Sequence, residues 1–454
     1  MVLDAGVLSK RWAGLPRELS VLDLSVGDIL PPRYHRWVLL HRESKARDLK
    51  YQFCTTNMEK VMPHIRRYER RAMRALTTSV ERLLDPAADG VGRTVSKLTL
   101  EFFSTHNTDC INRLISKAID AWEVHDLVAV AKPVYSQRRN FHAFPGHGIC
   151  EEPCASRLRS LKLGGCMIPS LLGHNVLTLL VMQDTPMSTP ESAYEGIFTS
   201  CPQLQVLHLI SCYSAGNGNG DITVDAPGSD LRELVVDNCV CFIRICPRAL
   251  PRLERLASLG TRVRFETTSF PYLRQCNLTL CMGVTEETAR RYFAARIWIV
   301  PSVSSPALLP NLRRLLVADV PRCWDVSWPR LLLETAPSLE TLHVHIAPPP
   351  CKEEEEPALL GHRHLKEFVM AGFEGTGRQV YLVRFVMGVC STALRHVAML
   401  KKGHVRDKGH WDWETVTQQQ QRSQWTDEEK DKTLEQIMNG VPSSSTASPA
   451  VVFG

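Results

Sequence analysis

The chain has 454 residues, of which 44% are hydrophobic and 22% charged; this composition excludes a disordered polypeptide and indicates globular domains. The net charge of +6 is too small for this length to indicate a nucleic-acid partner by charge alone. No apolar run approaches about 18 residues and no secretory leader opens the sequence, so we expect a protein of the cytoplasm or nucleus with no membrane partner. In those compartments the 15 cysteines should be reduced thiols.

Residues 1–30 combine a predicted helix with a predicted strand. Leu8, Trp12, Leu15 and Leu19 recur at steps of four, three and four, which places them on one face of a helix. The apolar residues of 21–24 then indicate a short strand.

Residues 31–90 are predicted to be a connecting segment that is partly helical. Within it, IRRYERRAMRAL brings five arginines close together on one helix: Arg66, Arg67, Arg70, Arg71 and Arg74. Such a cluster could contact phosphates, or it could be the solvated face of the helix. We favour the solvated face.

A strand, a helix and a second strand are predicted before the first clear repeat, over 95–103, 107–122 and 126–133. The helix is amphipathic, with apolar residues at i, i+3, i+4, i+7, i+8 and i+11 from Ile111 to Trp122. The repeat domain is therefore expected to begin near residue 91.

Residues 134–157 are predicted to form an irregular loop that contains four metal-ligand residue types. They are His142, His147, Cys150 and Cys154. The spacing H-x4-H-x2-C-x3-C matches no common zinc finger, so a loop with chance thiols is preferred over a zinc site.

One template recurs through the central part of the chain. LRSLKLGGC (158–166), LQVLHLISC (204–212), LRELVVDNC (231–239) and LRQCNLTLC (273–281) are apolar at offsets 0, 3 and 5 and carry cysteine at offset 8. The apolar offsets recur without the cysteine at five more places: Val176, Leu179 and Val181; Leu312, Leu315 and Val317; Leu339, Leu342 and Val344; Leu365, Phe368 and Met370; Leu394, Val397 and Met399. A tenth unit begins at Leu253 and is degenerate because Ser258 stands at its third position.

This template is typical of a leucine-rich repeat. Offsets 3 and 5 alternate as on a short strand, and most units are about 20 to 29 residues apart, so each unit should supply one strand and one return segment. The predicted fold is α/β: a leucine-rich-repeat solenoid with a curved parallel sheet over residues 91–403. Cys166, Cys212, Cys239 and Cys281 should be buried at equivalent turns and should form no disulfide.

Residues 404–454 are predicted to cap the end of the repeats. TDEEKDKTLEQIMNG (426–440) opens with a capping box formed by Thr426 and Glu429 and ends at Asn439 and Gly440, a typical helix stop. The last 14 residues, VPSSSTASPAVVFG, indicate a turn followed by a short strand.

The sequence contains no motif of an enzyme that we recognise. G-x-S-x-G, H-E-x-x-H and G-x-x-x-x-G-K are absent, and the glycine-rich GNGNGD (216–221) is followed by neither lysine nor a predicted helix. We therefore expect no catalytic residues, no cofactor and no metal.

The chain resembles the F-box/leucine-rich-repeat proteins of plants, in particular the grass families with an FBD-like C-terminal segment. The resemblance rests on VLSKRW-x-x-LPRELSVLDL (7–24), on the strand, helix and strand before the repeats, on SRLRSLKLGGC (156–166) and on W-x-D-E-E (425–429). In that family the F-box binds a Skp-type adaptor of a cullin-RING ubiquitin ligase, and the repeats bind the protein to be ubiquitinated. The resemblance implies that the following residues of the F-box contact the adaptor: Val7, Leu8, Trp12, Leu15 and Pro16.

Two functional hypotheses follow from the resemblance. In the first, the chain is a substrate-recognition subunit of a Skp-cullin-F-box ubiquitin ligase, with a short helical partial F-box over 1–30 and an unknown protein substrate. In the second, it is a non-catalytic repeat scaffold that has lost adaptor binding, because the leucine-proline start and first helix of an F-box do not precede Val7 in this sequence. We favour the first hypothesis.

Overall fold

The computed structural model of the chain describes the backbone of most residues. These are 20–51, 57–84, 94–104, 108–135, 140–215, 221–239, 242–246, 249–265, 270–279, 309–321, 333, 335–347, 362–390, 392–401, 404–416, 425–439 and 449–454. The chain divides into two compact units. The first is Met1–Leu204 with Ser211–Ala215, and the second is Gln205–Ile210 with Gly216–Gly454.

The described strands of the first unit run parallel. In sheet order they are β1 (Val21–Ser25), β2 (Lys97–Phe103), β3 (Asp126–Lys132), β4 (Ser160–Gly164) and β5 (Leu179–Gln183). The strands predicted over 21–24, 95–103 and 126–133 are thereby confirmed. Their inward side chains form two rows across the sheet, because every neighbouring pair is in the same register.

The helices described in the first unit lie between these strands in the chain or follow the last of them. They are α1 (Val26–Ile29), α2 (Pro32–Tyr51), α3 (Asn57–Leu84), α4 (Asp109–Asp120) and α5 (Glu191–Ser200). The amphipathic helix predicted over 107–122 is α4, whose apolar stripe is buried. The segment predicted to be partly helical contains α2 and α3.

Helix α3 has one buried stripe and one basic exposed face. Ile65, Leu76 and Val80 are buried at helical spacing, which fixes the orientation of the helix. The five arginines of the cluster are all exposed. This agrees with the interpretation of the cluster as a solvated face.

The second unit is also α/β and contains the other parallel repeat strands. In sheet order these are β6 (Val206–Ile210), β8 (Glu233–Asp237), β10 (Arg255–Leu259), β12 (Gln275–Thr279), β13 (Arg314–Pro321), β14 (Thr341–Ala347), β15 (Glu367–Ala371), β16 (His396–Leu400) and β19 (Ala450–Phe453). The strands described in each unit do not close into a barrel. The parallel α/β architecture predicted from the template is therefore present.

The return segments of three consecutive repeats form a small second sheet. Its parallel strands are β7 (Asp221–Val224), β9 (Phe242–Ile245) and β11 (Arg262–Phe265), in the order β11-β9-β7. Ile222, Val224, Ile243 and Ile245 are buried there. The unit also contains helices α6 (Gly377–Val389) and α7 (Asp427–Met438) and the antiparallel pair β17 (His404–Lys408) and β18 (Asp412–Val416).

The inward side chains of the second unit confirm the predicted burial of offsets 3 and 5. Each is at most 5% exposed. The offset-3 row is Leu207, Leu234, Leu256, Cys276, Leu315, Leu342, Phe368 and Val397, and the offset-5 row is Leu209, Val236, Ser258, Leu278, Val317, Val344, Met370 and Met399. The unit with Ser258, predicted to be degenerate, is a complete strand that pairs on both sides, and its buried Ser258 hydroxyl donates to the Thr261 carbonyl at 2.7 Å.

One predicted repeat is wrong by one residue. The template was assigned to Val176, Leu179 and Val181, but Leu180 and Met182 are the buried pair, while Val176 is 37% exposed. Leu180 pairs with Leu161 of β4. In VLTLLVM both alternations are apolar, so the hydrophobic pattern could not fix the register, and a slip of one residue exchanges the two faces of a strand.

A left-handed residue follows most of the repeat strands at offset 7. The residues with φ between 50° and 76° at this offset are Gly165, Asp184, Ser211, Asn238, Gly260 and Gly372. The N–H of Gly165 donates to Gln183 O at 2.9 Å, and the N–H of Gly260 donates to Thr279 O at 2.9 Å. The left-handed turn thus directs the chain away from the sheet, while the N–H of the turn residue still donates a hydrogen bond to the next strand.

The offset-8 cysteines lie where the template predicts. Cys166, Cys212 and Cys239 are buried and form no disulfide, whereas Cys281 lies outside the described residues. The Cys212 thiol is 3.5 Å from Met182 O and the Cys239 thiol is 3.3 Å from Leu209 O. Both thiols therefore donate to the offset-5 carbonyl of the preceding repeat, a role for a small side chain with a weak donor.

The C-terminal segment contains the predicted helix and strand. In α7 the Thr426 side chain accepts from the Glu429 N–H at 3.2 Å, and the Glu429 carboxylate accepts from the Thr426 N–H at 3.0 Å, so the predicted capping box is confirmed. Strand β19 pairs in parallel with β16. Among the residues that the structure describes, no helix is long and apolar enough to cross a bilayer.

Candidate protein-binding face

The outward face of the second unit's sheet consists of the side chains at offsets 2 and 4 of each repeat, which point away from the two inward rows. At offset 2 it presents charged and amide groups, which are Glu233, Arg255, Gln275, Arg314 and Glu367. At offset 4 it presents His208, Asn277 and His343 beside apolar residues. These side chains are spread over consecutive strands, so together they can recognise an extended surface.

A hairpin contacts this outward face. It consists of the antiparallel strands β17 and β18 joined at Gly409, His410 and Trp411, and Gly409 takes φ +80° in the turn. Trp411 and Trp413 are two residues apart and both contact the sheet. The tail was predicted to cap the end of the repeats; this hairpin within it was not predicted.

Two side-chain amides of β12 hold the backbone of the hairpin. Gln275 donates from Nε2 to Trp411 O at 2.6 Å, and Asn277 donates from Nδ2 to His410 O at 2.7 Å. These two bonds recognise main-chain carbonyls, so they fix the position of the polypeptide whatever its side chains are.

Trp411 lies against a carboxylate and a guanidinium. Its indole N–H donates to Glu233 Oε1 at 3.1 Å, and the Arg255 guanidinium lies 4.6 Å from its ring centroid, within the range of a cation–π contact. Glu233 also pairs with Arg255 and accepts from His208 Nε2 at 2.7 Å. Burial raises the pKa of Glu233, but the His208 hydrogen bond, the Arg255 charge and the indole hydrogen bond outweigh it and hold the pKa below its ordinary value.

Trp413 lies in a second arrangement of the same kind. Its indole N–H donates to His343 Nδ1 at 2.8 Å, and the Arg314 guanidinium lies 4.8 Å from its ring centroid. His343 Nε2 is 3.1 Å from Glu367 Oε1. Since Nδ1 accepts, we assign the proton of a neutral imidazole to Nε2, from which it is donated to Glu367. This hydrogen bond is the largest cause that lowers the pKa of Glu367.

His410, at the tip of the hairpin, contacts two further strands of the unit. Its ring centroid is 5.2 Å from that of His208, in an edge-to-face arrangement. Its Nε2 is 3.6 Å from Asp237 Oδ2. The tip is therefore held on β6 and β8 as well as on β12.

Outward residues where the hairpin contacts the sheet are as buried as the inward leucines. Val235, Ala257, Asn277 and Leu316, all at offset 4, are at most 1% exposed. In the first unit, outward positions such as Val128 remain half-buried. The second unit's sheet is thus covered on both faces along these strands, and the hairpin, which bonds Gln275 and Asn277, contributes to the outward cover.

The predicted adaptor-binding residues Val7, Leu8, Trp12, Leu15 and Pro16 lie outside the described residues. Their role remains a prediction.

The four ligand types of the 134–157 loop do not form a metal site. His142 Nε2 is 2.8 Å from Asn112 Oδ1, whereas the Cys150 thiol lies 3.9 Å from His174 Nε2. His147 and Cys154 are exposed. Within the described ranges no cluster of histidine, cysteine, aspartate and glutamate could hold a metal ion.

The buried thiol of that loop is not set up as a nucleophile. Burial raises the pKa of Cys150 to about 12, so the thiolate is absent at neutral pH. Its neighbour His174 has a pKa lowered by burial.

The sequence contains two signals that the outward face of the sheet is covered. Val235 and Leu316 are apolar at an outward offset, which indicates a sheet buried on both faces. In addition, HVRDKGHWDWETV (404–416) places a glycine turn between two short alternating segments, as a hairpin does.

No protein-family model matches the chain, and no curated protein is significantly similar to it.

Proposed function

We propose that this protein is a non-catalytic recognition subunit whose repeat strands bind a target protein. The observation that carries the proposal is the outward face of the second unit, which binds two indole N–H groups and two main-chain carbonyls of the hairpin. A face that binds polypeptide through hydrogen bonds and ring contacts spread over several strands has the chemistry of a protein-binding surface.

The fold, the ligase role and the compartment in this proposal are those that the resemblance to F-box/leucine-rich-repeat proteins implies. We assign the repeats to the leucine-rich-repeat solenoids and the protein to the substrate-recognition subunits of Skp-cullin-F-box ubiquitin ligases, acting in the cytoplasm or nucleus. The in-register rows of buried side chains and the recurrent offset-7 turn support the repeat assignment. The ligase assignment depends on residues 7–16, and the alternative is a scaffold that binds its partner without the adaptor.

The ligase assignment predicts that Trp12 is needed for adaptor binding. The full chain should bind a purified Skp-type adaptor saturably in a pull-down and in titration calorimetry. Trp12→Ala should weaken that binding at least about tenfold, since a tryptophan anchor in an interface typically contributes more than 1.4 kcal/mol.

Leu39→Ala is the matched control, because Leu39 is an apolar residue, 57% exposed, on helix α2. It should leave adaptor binding unchanged. Absence of adaptor binding by the unsubstituted chain would reject the ligase assignment in favour of the scaffold.

A further inference from the structure

We propose that the outward face of β8 to β14 is a binding site for a partner segment with two tryptophans two residues apart, and that the hairpin is its built-in occupant. The two groups that bind an indole are Glu233 with Arg255 and His343 with Arg314; together we name them the twin indole site. This inference rests on the proposed function and names the chemistry of the partner that the same face would take.

The twin indole site selects indoles rather than apolar side chains in general. Each half offers one acceptor, Glu233 Oε1 or His343 Nδ1, to a ring N–H and one guanidinium to a ring face. A phenylalanine would contact the guanidinium but would donate no hydrogen bond to the acceptor, and Glu233 Oε1 would keep only the bond from His208. A hydrogen bond contributes about 0.5–1.5 kcal/mol, and about 1.5–3 kcal/mol when one partner is charged, so both halves discriminate in favour of tryptophan.

The spacing of the two halves selects for two tryptophans in one short segment. Glu233 lies on β8 and His343 on β14, and β10, β12 and β13 lie between them. Four strand spacings of about 4.8 Å place these strands about 19 Å apart. Residues i and i+2 of an extended segment are about 7 Å apart. Trp411 lies in the turn and Trp413 on β18, so their indoles are not held side by side on one strand face and each reaches its own half of the site.

The contacts of the hairpin are of the kind that a separate polypeptide could make. Gln275 and Asn277 bind main-chain carbonyls, which every peptide has. Arg255 and Arg314 are themselves exposed, so water reaches the edges of the site. A partner must nevertheless compete with a tethered occupant, whose effective concentration is in the millimolar range for a short connection. The unsubstituted chain should therefore bind such a partner weakly.

The test uses the full chain and a peptide copy of the hairpin. The probe is HVRDKGHWDWETV flanked by two added cysteines and oxidised, because an isolated two-stranded hairpin is marginally stable. The full-length double variant Trp411→Ala, Trp413→Ala should bind this probe at least about tenfold more tightly than the unsubstituted chain, because its own occupant has lost both indoles.

Two controls isolate the twin indole site. Asp412→Ala changes the exposed residue between the tryptophans and should leave probe binding as weak as in the unsubstituted chain. A probe with both tryptophans replaced by alanine should not bind the double variant. Adding Arg255→Ala to the double variant should weaken binding of the tryptophan probe.

Equal binding of both probes, or no gain by the double variant while its circular dichroism spectrum stays that of the unsubstituted chain, would overturn the inference. If the double variant fails to fold, Trp411→Ala alone is tested in the same way, with a gain in probe binding expected. Adaptor binding without probe binding would reject only this inference, and probe binding without adaptor binding would reject only the ligase assignment.

Discussion

Gly165→Ala should destabilise the protein far more than Gly260→Ala, although both glycines occupy offset 7 with nearly the same backbone conformation. Their φ angles are 62° and 63°. A Cβ on Gly165 would lie 2.1 Å from Ala131 O, whereas a Cβ on Gly260 would have nothing nearer than 4.0 Å. Gly260→Ala should therefore lower the free energy of unfolding only by the cost of a left-handed alanine, about 1–2 kcal/mol. For Gly165→Ala we expect the steric clash to lower the free energy of unfolding by a further amount of about 1–3 kcal/mol.

Urea unfolding of the two variants measures this difference. Asp184 and Ser211 take φ near 50° at the same offset, so a Cβ is accepted there when the neighbouring strand leaves room. Equal losses of unfolding free energy for Gly165→Ala and Gly260→Ala would contradict the close approach of the β4 turn to β3.

His142 should make the protein lose stability as the pH falls from 6.5 to 4. Its side chain is 2% exposed and lies edge-on to the rings of Phe102 and Phe144. Burial lowers the pKa of His142 from 6.5 to about 4. Over this range the unfolded imidazole takes up a proton and the folded one does not, so the free energy of unfolding falls, by up to about 3 kcal/mol. Above pH 6.5 the contribution is fully retained.

Urea unfolding of the unsubstituted chain and of His142→Gln at several pH values isolates this contribution. The variant should lose less free energy of unfolding between pH 6.5 and pH 4 than the unsubstituted chain. His147→Gln, which changes an exposed histidine of the same loop, should follow the unsubstituted chain. Parallel curves for the unsubstituted chain and His142→Gln would mean that His142 is not buried as described.

The spacing of the leucines was enough to predict the parallel repeat strands and their inward rows. Offsets 3 and 5 alternate with Ser160 and Lys162 in LRSLKLGG (158–165), so the face of that strand is unambiguous. Around Leu180 both alternations are apolar, and only pairing with β4 decides between them. The offset-7 turn was not predicted, because glycine, serine, asparagine and aspartate all occupy it and no single letter marks the position.

The covered outward face could not be predicted from local patterns. Trp411 and Glu233 are 178 residues apart, and no local rule pairs an indole with a particular carboxylate at that separation. The same holds for Trp413 and His343, which are 70 residues apart. The sequence does show that Val235 and Leu316 are apolar at outward offsets, which indicates a covered face without identifying its cover.

The contact between Trp411 and Glu233 tests most directly that the outward face binds polypeptide through indoles. A double-mutant cycle of Trp411→Phe and Glu233→Ala, measured by urea unfolding of the full chain, should give a coupling energy of about 1 kcal/mol or more, because the indole hydrogen bond has a charged acceptor. The control cycle replaces Glu233→Ala by Glu340→Ala, which removes an exposed ion pair with Lys366. We predict additivity in the control and coupling in the first cycle; additivity in both would contradict the placement of the hairpin on the sheet.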